Sequence, residues 1–262
     1  MINFAPMTMV HTSVSGGIGT ITMARPEKRN ALGPAMVEEL GRAFTDMGMN
    51  DAVRVVVLRG EGKAFCAGAD LGALQQISEN SPLENLDDST KLKEMLQAIV
   101  DLPKPVIAMV HGAAIAGGCG LATVCDIVLA GRQHGVFGYS EVKIGFIPAI
   151  VMVYLLRKVG DTQARRLVLT AQNISAEEAV RIGLATFVVD DEQLEQETYA
   201  LASSMAKNSA SAMALSKSML SSLHGMSLDA GLHYATVMNA LARQTPDCKQ
   251  GIAAFLQPKH EK

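Results

Sequence analysis

Short apolar runs alternate with stretches of helical periodicity through the first two thirds of the chain. Val53 to Leu58 and Pro105 to Val110 are almost wholly apolar, the pattern of strands covered on both faces. Thr12 to Met23 reads as a hairpin, two extended runs around Ser15-Gly16-Gly17. Pro34 occupies a first helical position, and Met36, Val37, Leu40 and Phe44 then recur at helical spacing. Lys91 to Leu102 returns to that spacing and is stopped by Pro103 and Pro105. Asp126 to Ala130 and Thr186 to Val189 are further buried-strand candidates. A capping box at Ser175-Ala176-Glu177-Glu178 opens the helix before the last of them. Residues 76–90 are mostly polar and read as a mobile loop or a lid over a site. Strand, helix and strand in this rhythm predict an α/β fold with right-handed parallel crossovers. From Glu192 onward the strands cease, and three or four helices rich in Ala, Ser, Leu and Met follow. They cannot bury their apolar faces alone, so they are expected to pack on the core or on another subunit.

Composition narrows the function classes. At 262 residues the chain can build one large core, and 48% hydrophobic with 19% charged residues is ordinary for a soluble protein. A net charge of −3 gives no reason to expect nucleic acid or an anionic membrane as partner. No apolar run approaches the roughly 18 residues of a membrane span. Met1-Ile2-Asn3-Phe4-Ala5 lacks the basic start of a secretion signal. Cys66, Cys119, Cys125 and Cys248 show no CxxC spacing, and no His pairs with another at i+3 or i+4. These features predict a reduced, cytoplasmic protein without a metal site. The 15 Met residues, with no Trp, read as core gap-fillers.

The candidate chemistry lies in two segments crowded with Gly and Ala, each following an apolar run. They are Lys63-Ala64-Phe65-Cys66-Ala67-Gly68-Ala69-Asp70-Leu71 and His111-Gly112-Ala113-Ala114-Ile115-Ala116-Gly117-Gly118-Cys119-Gly120. Small residues let main-chain N–H groups come close to a ligand oxygen, and the second segment opens a helix whose N-terminus favours negative charge. Two such donors aimed at one oxygen make an oxyanion hole, which points to chemistry on a carbonyl or thioester.

These two segments resemble the oxyanion segments of the enoyl-CoA hydratase/isomerase, or crotonase, family. Two more resemblances stand in the family's order. Arg25-Pro26-Glu27-Lys28-Arg29-Asn30-Ala31-Leu32 is similar to its first CoA-contacting turn, and Phe137 to Pro148 to the segment that carries a catalytic acid. The resemblance covers nearly the whole chain. It implies a crotonase-like spiral of ββα units over residues 1–200 and a helical oligomerisation region over 201–262, forming trimers or paired trimers. It implies oxyanion donors at the N–H groups of Ala69 and Gly117, and proton transfer by Glu141. Coenzyme A would arrive as part of the substrate, with no tightly bound cofactor. Its phosphates would meet Lys28 and Arg29, near Ala31, and the backbone of Ala67, Gly68, Ala69, Asp70 and Leu71 would surround its adenine and pantetheine. Phe255 and Lys259 would close the adenine pocket, often from a neighbouring subunit, although Gln257-Pro258 departs from the usual acidic-then-basic ending.

One position breaks the pattern. Hydratases of the family carry a second carboxylate three residues after the second oxyanion glycine, and that position here is Gly120. Members resembling methylglutaconyl-CoA hydratases also lack it while keeping a segment like Ser140 to Ala149. The substitution is expected to empty volume beside the reacting carbon and suit a branched acyl group. Glu141, preceding an alternating Val142 and Ile144, is expected in an apolar pocket that raises its pKa. The favoured reading is an enoyl-CoA hydratase-type lyase. The alternatives are a 3,2-enoyl-CoA isomerase with Glu141 as single proton shuttle, and a non-catalytic CoA-ester-binding protein.

Overall fold

A computed structural model describes residues 8–256. The hairpin forms as expected: β1 (Val10–Ser15) pairs antiparallel with β2 (Ile18–Met23), and Gly16 and Gly17 turn between them at φ 58° and 80°. Helix α1 (Pro34–Met49) starts on Pro34 and buries Met36, Leu40 and Phe44. Next come β3 (Val55–Gly60), β4 (Ala64–Cys66), α2 (Leu71–Glu79) and α3 (Pro82–Asp101). The following turn comprises β5 (Val106–Val110), β6 (Ala113–Ile115) and α4 (Gly117–Val124). Another comprises β7 (Ile127–Gly131), β8 (Val136–Gly138) and α5 (Ala149–Thr170), the helix being broken at Gly160 where φ is 74°. Then β9 (Ile174–Ser175), α6 (Ala176–Arg181) and β10 (Phe187–Val189) lead into α7 (Leu194–Ala206), α8 (Ala210–Leu223), α9 (Leu228–Ala242) and α10 (Pro246–Leu256).

After the β1–β2 hairpin, each strand pair from β3 to β8 climbs one step in two sheets at once. The six-stranded sheet has the order β1-β2-β3-β5-β7-β10 and the four-stranded sheet β4-β6-β8-β9. β3, β5 and β7 therefore stack parallel in the first while their immediate successors β4, β6 and β8 stack parallel in the second. A helix returns the chain after each pair, which is the crotonase-like spiral of ββα units. The apolar runs follow from this layering: Val56 and Leu58 face the main core, while Val55 and Val57 face a second layer closed by Leu194 and Ala202 of α7. Residue 200, taken as the end of the spiral core, thus lies inside a helix that covers the sheet. The buried Lys217 of α8 ties the helical tail to this body, donating to the carbonyls of Ile99 and Lys104 and pairing with Asp126 at 2.7 Å.

Residues 76–90 are not an irregular loop; they are the end of α2, a short link and the first half of α3. Asp70 caps α2 by accepting from the N–H of Gly72. Ser81 and Glu84 form a full capping box around Pro82, and the polar residues that follow lie mostly on solvent-facing turns. The capping box expected at Ser175 is half made. Ser175 accepts from the N–H of Glu178 at 3.3 Å, but the Glu178 carboxylate turns to Arg166 and Arg181.

The start of the described chain is held by one buried carboxylate. Glu39, 8% exposed, accepts the backbone N–H groups of Thr8, Met9 and Val10. Burial alone would raise its pKa, but the three amides outweigh it and hold the group below its ordinary 4.5. With the folded value below the unfolded one, this contribution is complete above about pH 4.5 and is lost as pH falls through the folded value. Glu39→Gln is expected to cost about 1–3 kcal/mol at pH 7 in urea unfolding, with the gap closing below pH 4.5. A gap that does not change with pH would contradict this role.

Candidate active site

The turn at residues 25–32 and the segment 67–70 are laced into one unit by main-chain bonds. Ala67 N–H donates to Arg29 O at 3.0 Å, Leu32 N–H to Gly68 O at 2.7 Å and Asp70 N–H to Leu32 O at 3.0 Å. The fully buried Asn30 locks this unit down. Its amide donates to the carbonyls of Glu61, Ala64 and Phe65, and its own carbonyl accepts from Arg25 N–H. Lys28 and Arg29 are left exposed at the surface of the turn, while Ala31 is buried beneath it.

In this bridge Leu32 bonds to both neighbours of Ala69, so the N–H of Ala69 itself faces the other way. The N–H of Gly117 is the first of α4 and has no carbonyl one turn back to bond. Neither N–H has a hydrogen-bond partner among the described residues. Two glycines bring these donors together. A Cβ on Gly68, which has φ 88°, would lie 2.8 Å from Ile115 O and 2.9 Å from Ala116 Cβ. One on Gly118 would lie 2.1 Å from Cys66 O. Only bare backbone permits that approach. Ala116 turns the chain into the helix at φ 52°, ψ −125°, a conformation an alanine holds only under the constraint of its surroundings.

Glu141 follows a strand bonded to the segment that carries Gly117. Strand β8 runs alongside β6 with Gly138 opposite Ile115, and Gly138 O accepts the N–H of Ala116 at 2.7 Å. Three residues on, Glu141 begins a 3-10 turn, 8% exposed, and its Oε2 is buried without a partner. Burial pushes its carboxyl pKa up, only partly opposed by its own backbone N–H. Two free amides and an uncompensated acid on bonded segments suit an oxygen that becomes anionic as a proton moves.

Comparison with known proteins identifies the family. The sequence profile of the family "Enoyl-CoA hydratase/isomerase" matches residues 13–262. The chain belongs to the enoyl-CoA hydratase/isomerase family. It is 40% identical over 244 residues to a Thermus thermophilus protein named "Putative enoyl-CoA hydratase", covering 93% of this chain and 96% of that one. It is 32% identical over 253 residues to the 1,2-epoxyphenylacetyl-CoA isomerase of Escherichia coli, covering 95% and 96%. A solved enoyl-CoA hydratase from Mycobacterium smegmatis superposes with a TM-score of 0.89 at 32% identity, over 95% of this chain and 96% of that one.

Within this hydratase/isomerase frame, one expectation is overturned. Gly120 leaves no empty volume: a Cβ there would lie 2.1 Å from Cγ1 of Val151, which reaches in from α5 and is 4% exposed. Gly120 is the contact that lets α5 lie against α4, so it gives no added room for a branched acyl group. A carboxylate at this position requires Val151 to shrink. Gly120→Glu alone is expected to destabilise the fold by about 1–3 kcal/mol or more, with Val151→Ala in the same chain recovering most of the loss in thermal melts. A single variant as stable as the parent would contradict this packing.

The remaining predicted contacts divide. Asp70 spends its side chain on Gly72 N–H and on Arg25, at 2.9 Å, and its backbone N–H on Leu32 O, so its role is to hold the turn. Burial opposes the shift, yet these partners hold its carboxyl below the usual range. A cavity of about 170 Å³ opens beside it, between Arg25, Gly33, Asp70 and Gln76. A larger one, about 320 Å³, lies on α5 among Met152, Leu156 and Leu169 and includes no predicted site residue. Phe255 is 89% exposed on α10 and is not brought to the site within one chain. Lys259 lies outside the described residues. Sequence reasoning missed Asn30 as an anchor, although an Asn inside an exposed charged turn is a signal of that kind. Val151 carried no signal at all.

Proposed function

We propose that the protein catalyses proton transfer at the carbon next to an acyl-CoA thioester, acting as an enoyl-CoA hydratase-type lyase with Glu141 as its one acid–base. The buried, unpartnered Glu141 carboxylate and two free amides on bonded segments carry this reading. Ala69 and Gly117 N–H would hold the thioester oxygen. In the hydration direction, Glu141 takes a proton from water as the water oxygen bonds to C3. The electron pair of the C2–C3 double bond moves toward the thioester oxygen, and Glu141 then returns the proton to C2. The net change is one water added, and each amide contributes about 2.7–4 kcal/mol to the enolate-like state. Lys28 and Arg29 are exposed where a phosphate could meet them, and the exposure of Phe255 fits an adenine contact made across a trimer of this chain.

A second reading is favoured by Val151. With its side chain in the place of the second carboxylate, Glu141 could instead take a proton from C2 of a 3-enoyl thioester and return it to C4, with no water consumed. Incubation with matched 2-enoyl- and 3-enoyl-CoA panels, followed by mass spectrometry, separates the two. A gain of one water supports the lyase. Rapid shift of the double bond without any hydration overturns it in favour of the isomerase, and binding without turnover overturns both.

A further inference from the structure

We propose that Tyr139 is a positioning residue, holding Glu141 against the oxyanion turn through Thr123 and the first turn of α4. This rests on the reading of Glu141 as the acid–base. The hydroxyl of Thr123 donates to Cys119 O at 2.8 Å. A threonine hydroxyl has a single hydrogen, so the 2.8 Å contact between Tyr139 Oη and Thr123 Oγ1 is donated by the tyrosine. The bonds run in one direction, from Tyr139 to Thr123 to Cys119 O. All three residues are buried, at 1%, 3% and 0% exposure. The chain of bonds begins two residues before Glu141 and ends two residues after Gly117, so it spans the distance the chemistry must keep fixed. The main-chain bond from Ala116 to Gly138 ties the same segments at one point. Tyr139 adds the second point, which stops the Glu141 segment from pivoting.

The titratable groups that face Glu141 are the Cys119 thiol of α4 and the phenol of Tyr139. Burial pushes the thiol up to about 12 and the phenol well above its ordinary value, so both are neutral at pH 7. Among the described residues, no charged group of α5, packed behind the same turn, perturbs Glu141.

Tyr139→Phe keeps the ring and removes the donor. It is expected to lower kcat about 10-fold with KM within about twofold of the parent. Loosening admits water to Glu141, so the acid limb of the kcat/KM profile moves to lower pH. Thr123→Val should act in the same way, the double variant should lose no more than either single one, and Thr123→Ser should retain activity within about twofold. A role in stability alone would scale activity with the folded fraction and leave the acid limb in place. An unmoved limb in Tyr139→Phe, or losses that multiply in the double variant, overturns the proposal. Glu141→Gln, run alongside, tests the underlying reading: if it keeps full activity, that reading fails, whatever the Tyr139 variants do.

Discussion

Glu141→Gln is expected to lower turnover about 10²–10⁴-fold while making the fold more stable at neutral pH. Both effects have one source. The Glu141 carboxylate is buried with one oxygen unpartnered, and burial raises its pKa. A carboxyl whose folded pKa lies above its unfolded value favours the fold while protonated and opposes it once ionised. Its cost therefore grows as pH rises from the unfolded pKa, about 4.5, through the folded one, and is constant above that. Glutamine does not titrate. The two proteins should melt together near pH 4 and separate with rising pH, Gln being the more stable. Each kcal/mol gained should raise Tm by about 2–4 °C in a chain of this size. A glutamine variant that melts below the parent at pH 7 would show that Glu141 makes a stabilising contact.

Gly118→Ala is the second large effect, and it acts on the amides. The added Cβ would stand 2.1 Å from Cys66 O, a backbone atom of a buried strand that cannot swing aside. Helix α4 must then shift away from β4, carrying the N–H of Gly117 from its place near Ala69. Losing one oxyanion donor costs about 10²–10³ in kcat. Overpacking adds about 1–3 kcal/mol of destabilisation, so the two readouts fall together. Gly112→Ala, where a Cβ would meet Lys63 O at 2.2 Å, crowds the same layer away from α4. It should cost stability with a smaller loss of kcat. Equal loss of kcat in both variants would mean that Gly118 acts through stability alone.

The strands that carry the main sheet were legible because both their faces are buried, which leaves no polar position in Val55 to Leu58. The close approach of the two free amides was legible because it demands small residues, and Gly68 and Gly118 cluster where it occurs. Strands β4 and β8, three residues each, are too short for any period to show. The end of α2 and the first half of α3 were misread because their polar, solvent-facing positions hide the spacing, whereas Lys91 onward was read as helix. Their capping residues, Asp70 and the Ser81–Glu84 pair, were in the sequence all the same. The partner of Gly120 was out of reach. Val151 lies 31 positions along the chain, on a helix whose approach angle is fixed only by packing. A glycine facing empty space and a glycine facing a valine look alike in sequence.

On the proposed function, Glu141 moves a proton at the carbon beside a thioester. Deuterium incorporation at C2 across a panel of 2-enoyl-, 3-enoyl- and saturated acyl-CoA esters in deuterated water, followed by mass spectrometry, tests it most directly. The parent protein should label at least one member of the panel, and Glu141→Gln should label it at least about 10²-fold more slowly while still binding it. Labelling at the same rate in both proteins would contradict the account.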